Sequence, residues 1–118
     1  MTLEQQTRQL IEHLDQLKQR YEEHHPPESK KDKQFFEMVK ERTEPVYALL
    51  AEWEEHARRA VRERQVNLHP QQVTSTRENM ELLLLNSYYI DVKRKRYMEL
   101  HHSITFIFEQ LLSELHTH

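Results

Sequence analysis

Nine histidines are spread over this chain of 118 residues: His13, His24, His25, His56, His69, His101, His102, His116 and His118. Imidazole is the commonest metal-binding side chain, so spacing is the first question. Glu22 with His25, and Glu99 with His102, have the Glu-x-x-His spacing that carboxylate-bridged di-metal bundles place on two of their helices. Both pairs fail on position. Glu22 and His25 stand at a helix end beside Pro26 and Pro27, and Glu99 and His102 fall beside the apolar stripe, not on it. A second arrangement takes one ring from each of three helices. His13 lies beside Leu10, Leu14 and Leu17, His56 beside Trp53 and Ala57, and His101 between Tyr97 and Ile104. Such rings could converge on a divalent metal such as zinc or nickel, as in small bundle enzymes with a histidine triad. The simpler expectation is that His13 and His56 flank the core and His101 is a boundary histidine. No cofactor is expected. His116-Thr117-His118 reads as a frayed tail.

Basic residues form three clusters. Lys30, Lys31 and Lys33 precede one apolar stripe, Lys93, Arg94, Lys95 and Arg96 precede another, and Arg58, Arg59, Arg62 and Arg64 close a third segment. Cations at helix ends usually complement the macrodipole. Gathered at one pole they could instead hold an anion or a phosphate backbone. No exposed aromatics are interleaved with them, and no recognition helix is visible, so nucleic acid is disfavoured. Ser87 and Ser103 lie in helical stretches without a nucleophile elbow, and no Ser/His/Asp triad can be assembled.

The elements that must position these groups are helices. The chain holds no glycine and no cysteine, where average usage would supply roughly eight glycines. A P-loop or a Rossmann turn is excluded, as are disulfides and thiolate sites. The longest apolar run is Val46–Ala51, far short of a membrane span. Residues 1–25 carry no apolar signal segment, so a cytoplasmic address and no membrane contact are expected. Net charge is −3, with 36% hydrophobic and 31% charged residues. One domain over 1–118 with one core is expected.

Leu3, Thr7, Leu10, Leu14, Leu17 and Tyr21 trace a narrow helical face over 2–24. Thr2 with Gln5 fits a capping box. A second stripe runs from Phe35 through Val39, Thr43, Val46, Leu50, Trp53, Ala57 and Ala60 within 32–65. It keeps register across Pro45, which predicts a kink or a short break there. Pro70 suits a first turn, and Val73, Thr76, Met80, Leu83, Leu84, Ser87 and Ile90 follow over 70–91. Tyr97, Ile104, Phe108, Leu111 and Leu115 lie in phase over 95–116. A single helix from 70 to 116 would be about 70 Å long and largely unpartnered. A turn near Asp91–Lys95 is the better reading. The expected fold is therefore all-α, an up-and-down antiparallel four-helix bundle, with two basic clusters at one pole.

Phe35-Phe36-Glu37, Trp53, Ser87-Tyr88, Lys95-Arg96-Tyr97 and Ser103, at these separations, resemble the YppE-like family of small bacterial proteins over Gln34 to about Leu112. Tyr97 stands where the resemblance leads one to expect phenylalanine, and Pro45 falls a few residues late. The resemblance implies a four-helix bundle and brings no activity with it.

The leading functional expectation is a non-enzymatic helical module that acts as adaptor or regulator through a protein partner, as monomer or homodimer. Tyr88 and Tyr89 are consecutive and cannot both share one face, so Ser87-Tyr88-Tyr89 is the expected contact patch, with Lys93 to Arg96 beside it. The alternatives are a metal-dependent bundle enzyme using His13, His56 and His101, and an anion-binding basic pole.

Overall fold

The structure is a computed structural model and describes residues 1–116. Thr117 and His118, in the expected frayed tail, lie outside the described residues. Four helices follow one another: α1 (Leu3–Glu23), α2 (Lys33–Arg62), α3 (Pro70–Tyr89) and α4 (Arg94–His116). The chain turns between Tyr89 and Arg94, so the stretch from 70 to 116 is two helices. Among the described residues, no helix is long and apolar enough to cross a membrane.

Local chemistry sets the starts of α1, α2 and α3. The Thr2 hydroxyl accepts from the Gln5 amide and the Gln5 side chain accepts from the Thr2 amide, which closes the expected capping box. Asp32 caps α2 through the Phe35 amide at 3.1 Å. At α3 the cap is a histidine. His69 Nδ1 accepts from the Gln71 amide at 3.0 Å and Gln72 Oε1 accepts from the His69 amide at 2.9 Å. Pro70 follows in the first turn, where its missing N–H costs nothing.

The stops are unusual, because this glycine-free chain still needs left-handed residues after its helices. His24, Arg64 and Ile90 have φ near +60°. At Arg64 the wrapping is complete. The Gln65 amide donates to Ala60 and the Arg64 amide donates to Val61, the paired bonds of a Schellman ending. This turn explains why α2 ends at Arg62, before the expected residue 65.

Pro45 does not break α2, which runs continuously through it. The apolar stripe across Pro45 buries Val39, Thr43, Val46, Leu49, Leu50 and Trp53. Packing on both sides of the proline holds the helix through a position that lacks one amide donor.

The four helices pack in cyclic order. α1 and α3 also touch across the middle, while α2 and α4 stand at the far corners. Trp53 of α2 and Phe108 of α4 fill the gap edge to face, with ring centroids 5.3 Å apart. Both are fully buried. Residues from all four helices join a single hydrophobic cluster. Trp53, Tyr21 and Tyr97 within it use their polar atoms in hydrogen bonds. The Trp53 indole N–H donates to the Thr7 hydroxyl, which donates to the Leu3 carbonyl. Tyr21 and Tyr97 stack face to face at 3.9 Å, and the Tyr21 hydroxyl donates to the Val92 carbonyl at 2.7 Å, fastening the α3–α4 turn to α1.

Candidate functional site

Of the three histidines weighed for a metal, His13 and His56 both stand on the α1–α2 seam, while His101 stands on the α1–α4 seam. His13 borders a cleft between α1 and α2. His56 Nδ1 lies 3.1 Å from Gln6 Oε1, which occupies that nitrogen. His101 stands on α4 facing Asp15, Lys18 and Glu22 of α1. Burial lowers the pKa of all three below the usual histidine value. Among the described residues, no three His, Asp or Glu side chains are grouped closely enough to hold a metal ion. His116 is bonded at the end of α4, with Nε2 2.8 Å from Glu4 Oε1.

The shared pole does form. Lys30 Nζ lies 2.9 Å from Asp91 Oδ1, which joins the α1–α2 connection to the α3–α4 turn. Acidic residues are interleaved with it, however. Arg94 faces Glu22 at 3.9 Å and Arg96 faces Glu99 at 3.6 Å. Lys93 and Lys95 are exposed. Charges of both signs weaken the field that a phosphate backbone would need. At the other pole the Arg58 guanidinium donates to the Thr74 hydroxyl.

The expected Ser87-Tyr88-Tyr89 patch is largely enclosed. Ser87 is fully buried and Tyr88 is 8% exposed. Tyr89 is half-buried, with its ring 5.2 Å from Phe35 and edge to face. The cause is the position of α3, which is covered by α1, α2 and α4 and therefore buries successive residues. Phe36, by contrast, is exposed.

The feature best suited to contact lies on the outer α3–α4 seam. Gln72, Ser75 and Asn79 of α3 face His102, Ser103 and Phe106 of α4 across an open groove of about 480 Å³. No Asp, Glu, Lys or Arg lines it, although such residues make up 31% of the chain. Phe106 is 64% exposed, the most exposed of the large apolar side chains. It stands off the buried stripe of Ile104, Ile107, Phe108 and Leu111. Leu82, also exposed, continues the ridge of Ser75 and Asn79 one turn further. Reading helix by helix for buried stripes passes over this face. Its signal was present nonetheless: Gln65 to Thr76 and Leu100 to Phe108 are both free of Asp, Glu, Lys and Arg.

A cyclic four-helix bundle with an uncharged seam defines the class of protein by architecture and not by chemistry. The chain belongs to the bacterial domain of unknown function family DUF1798, whose model matches residues 7–115. It is similar to the uncharacterized protein YppE of Bacillus subtilis (strain 168), with 28% identity over 115 residues, covering 97% of this chain and 92% of the relative. The X-ray crystal structure of yppE from Bacillus subtilis superposes with a TM-score of 0.84 at 26% identity, covering 98% of this chain and 93% of that one. The family expectation from Trp53, Ser87 and Tyr97 therefore holds, and all three prove to be buried residues of the core.

Proposed function

We propose that this chain is a helical protein-interaction module that docks a second copy of itself through the α3–α4 groove. The supporting observation is the uncharged groove with Phe106 standing 64% exposed at its side. A two-fold interface apposes one patch to itself, so any charge in it faces its own kind. A seam without charge avoids that repulsion. Amides and hydroxyls both donate and accept, so Gln72, Asn79, Ser75 and Ser103 can pair with their own copies in either direction. Phe106 supplies an aromatic anchor next to a groove able to receive its symmetry mate. No catalytic step enters this reading.

The patch is smaller than the roughly 20–30 residues per side of a standard stable interface, so a weak, micromolar dimer is expected. Sedimentation equilibrium over a wide concentration range tests it. The unaltered chain should dimerise reversibly and Phe106→Glu should remain monomeric with an unchanged helical spectrum. A chain that stays monomeric at millimolar concentration, or a dimer indifferent to Phe106→Glu, would overturn the proposal.

A further inference from the structure

The seam on the other side of the molecule is chemically opposite. Between α1 and α2 lies a cleft of about 440 Å³ whose lining includes Leu17, Val46, Leu84 and Tyr88. Arg20 borders it, and its guanidinium carbon lies 5.0 Å from the centre of the Tyr88 ring. Among the described residues Arg20 has neither an ion pair nor a hydrogen bond, and its Nε is sealed from solvent without a partner. Elsewhere the partly buried guanidinium of this fold is well paired: Arg77 bonds to Glu54 at 2.9 Å and also to Glu81. A cation stacked on an aromatic face and left with unused donors is half of a recognition site, because a guanidinium offers a planar fork matched to a carboxylate. The terminal nitrogens are the donors left for a ligand.

The rest of the lining narrows the ligand. Pro45 borders the cleft with Glu41. Proline has no N–H to give the Glu41 carbonyl four residues before it. His13 also lines the cleft and, kept neutral by burial, can donate and accept. Glu23 and Glu41 flank the mouth together with Arg42. Two carboxylates near the anchor penalise a doubly charged phosphate more than a single negative charge. The apolar edges of Leu17, Val46 and Tyr88 call for an apolar body behind that charge.

We propose that the α1–α2 cleft binds a small organic monocarboxylate with an apolar or aromatic body, its carboxylate held by Arg20 and its body packed against the edges of Tyr88, Leu17 and Val46. This site is separate from the α3–α4 groove and stands or falls independently of it.

The test is an NMR titration of the full chain, following backbone amides, with four probes of similar shape: 3-phenylpropionate, 3-phenylpropanol, 3-phenylpropylamine and benzyl phosphate. For so small a ligand, saturation in the low millimolar range is expected for the carboxylate. Its shifts should centre on residues 17–20 of α1 and 42–46 of α2. The alcohol and amine should bind at least about tenfold more weakly, as should the carboxylate to Arg20→Gln, the loss expected on removing a charge-assisted pair. Arg8→Gln, near the far end of α1, should bind as the unaltered chain does. The proposal fails on any of three results: no saturable shift in the cleft with 3-phenylpropionate, equal or tighter binding of the alcohol, amine or phosphate, or full affinity in a folded Arg20→Gln variant. The comparison of probes is made on the unaltered protein, so it decides the matter even where Arg20→Gln fails to fold.

Discussion

The Tyr97 hydroxyl lies 2.6 Å from Ser87 Oγ, and that oxygen is 2.7 Å from the Leu83 carbonyl. A serine hydroxyl has one proton and a carbonyl oxygen has none, so Ser87 donates to Leu83. Tyr97 is therefore the donor to Ser87, and the order Tyr97 to Ser87 to Leu83 is fixed by proton count. Burial pushes the Tyr97 phenol up to about 12, which keeps the donor protonated.

This order makes the two residues unequal. Ser87→Ala strands a buried phenol donor and should cost about 1–3 kcal/mol. Tyr97→Phe removes the donor and leaves Ser87 bonded to Leu83, so it should cost less, about 0.5–1.5 kcal/mol. The double variant should cost little more than Tyr97→Phe alone, a coupling that urea denaturation of all four proteins would measure. Equal and additive costs would show that the proton chain is not as drawn.

Pro45 is tolerated rather than required for the helix. The residue is exposed while its neighbour Val46 is buried, so Pro45→Ala should restore an amide donor to Glu41 without disturbing the core. The interior-proline penalty is about 3 kcal/mol, and the looser unfolded chain gives back about 0.4–1 kcal/mol. A net stabilisation of about 2 kcal/mol is expected in chemical denaturation. No gain would mean that α2 has already absorbed the proline by local rearrangement.

The sequence made the helices legible because each buried stripe repeats at 3–4 residues and two starts carry a local signal, the Thr2–Gln5 capping box at α1 and Pro70 at α3. The Asp91–Lys95 turn was legible on length alone. What it did not disclose were relations between helices. Two consecutive residues, Ser87 and Tyr88, are buried because α3 meets three neighbours, which no single-helix pattern encodes. Arg20 sits between Gln19 and Tyr21 like any surface cation, and only the placement of α3 puts Tyr88 beneath it. The uncharged groove is not encoded in any buried stripe, because Phe106 lies off the core-facing side of α4.

Arg64 supplies a direct measure of the cost of lacking glycine. It is exposed and left-handed, with φ of 58°, and a residue with a Cβ loses roughly 1–2 kcal/mol in that region. No hydrogen bond of its side chain stands against replacement among the described residues. Arg64→Gly should therefore stabilise the fold by about 1 kcal/mol, raising the thermal midpoint by several degrees for a domain of this size. A lower midpoint would mean that the Arg64 side chain does more in the turn than its backbone angles reveal.

Acid should weaken the fold before ordinary carboxylates titrate. His13, His56 and His101 all have folded-state pKa values lowered, first by burial. Nearby cations add to the effect, Arg59 at His56 and Lys18 at His101, while Glu12 opposes it at His13. The unfolded chain, with ordinary histidines near 6.5, then binds more protons than the folded one. Stability must rise with pH across the interval below about 6.5 and level off above it. Denaturation midpoints should fall from pH 7.5 to 5.5, and NMR titration of the imidazole C2 protons should place these three histidines below 6.5. His13→Gln should flatten the slope, since a glutamine in the cleft has no proton to take up. A midpoint that holds steady or rises on acidification would show that the three rings are as well solvated in the folded chain as in the unfolded one.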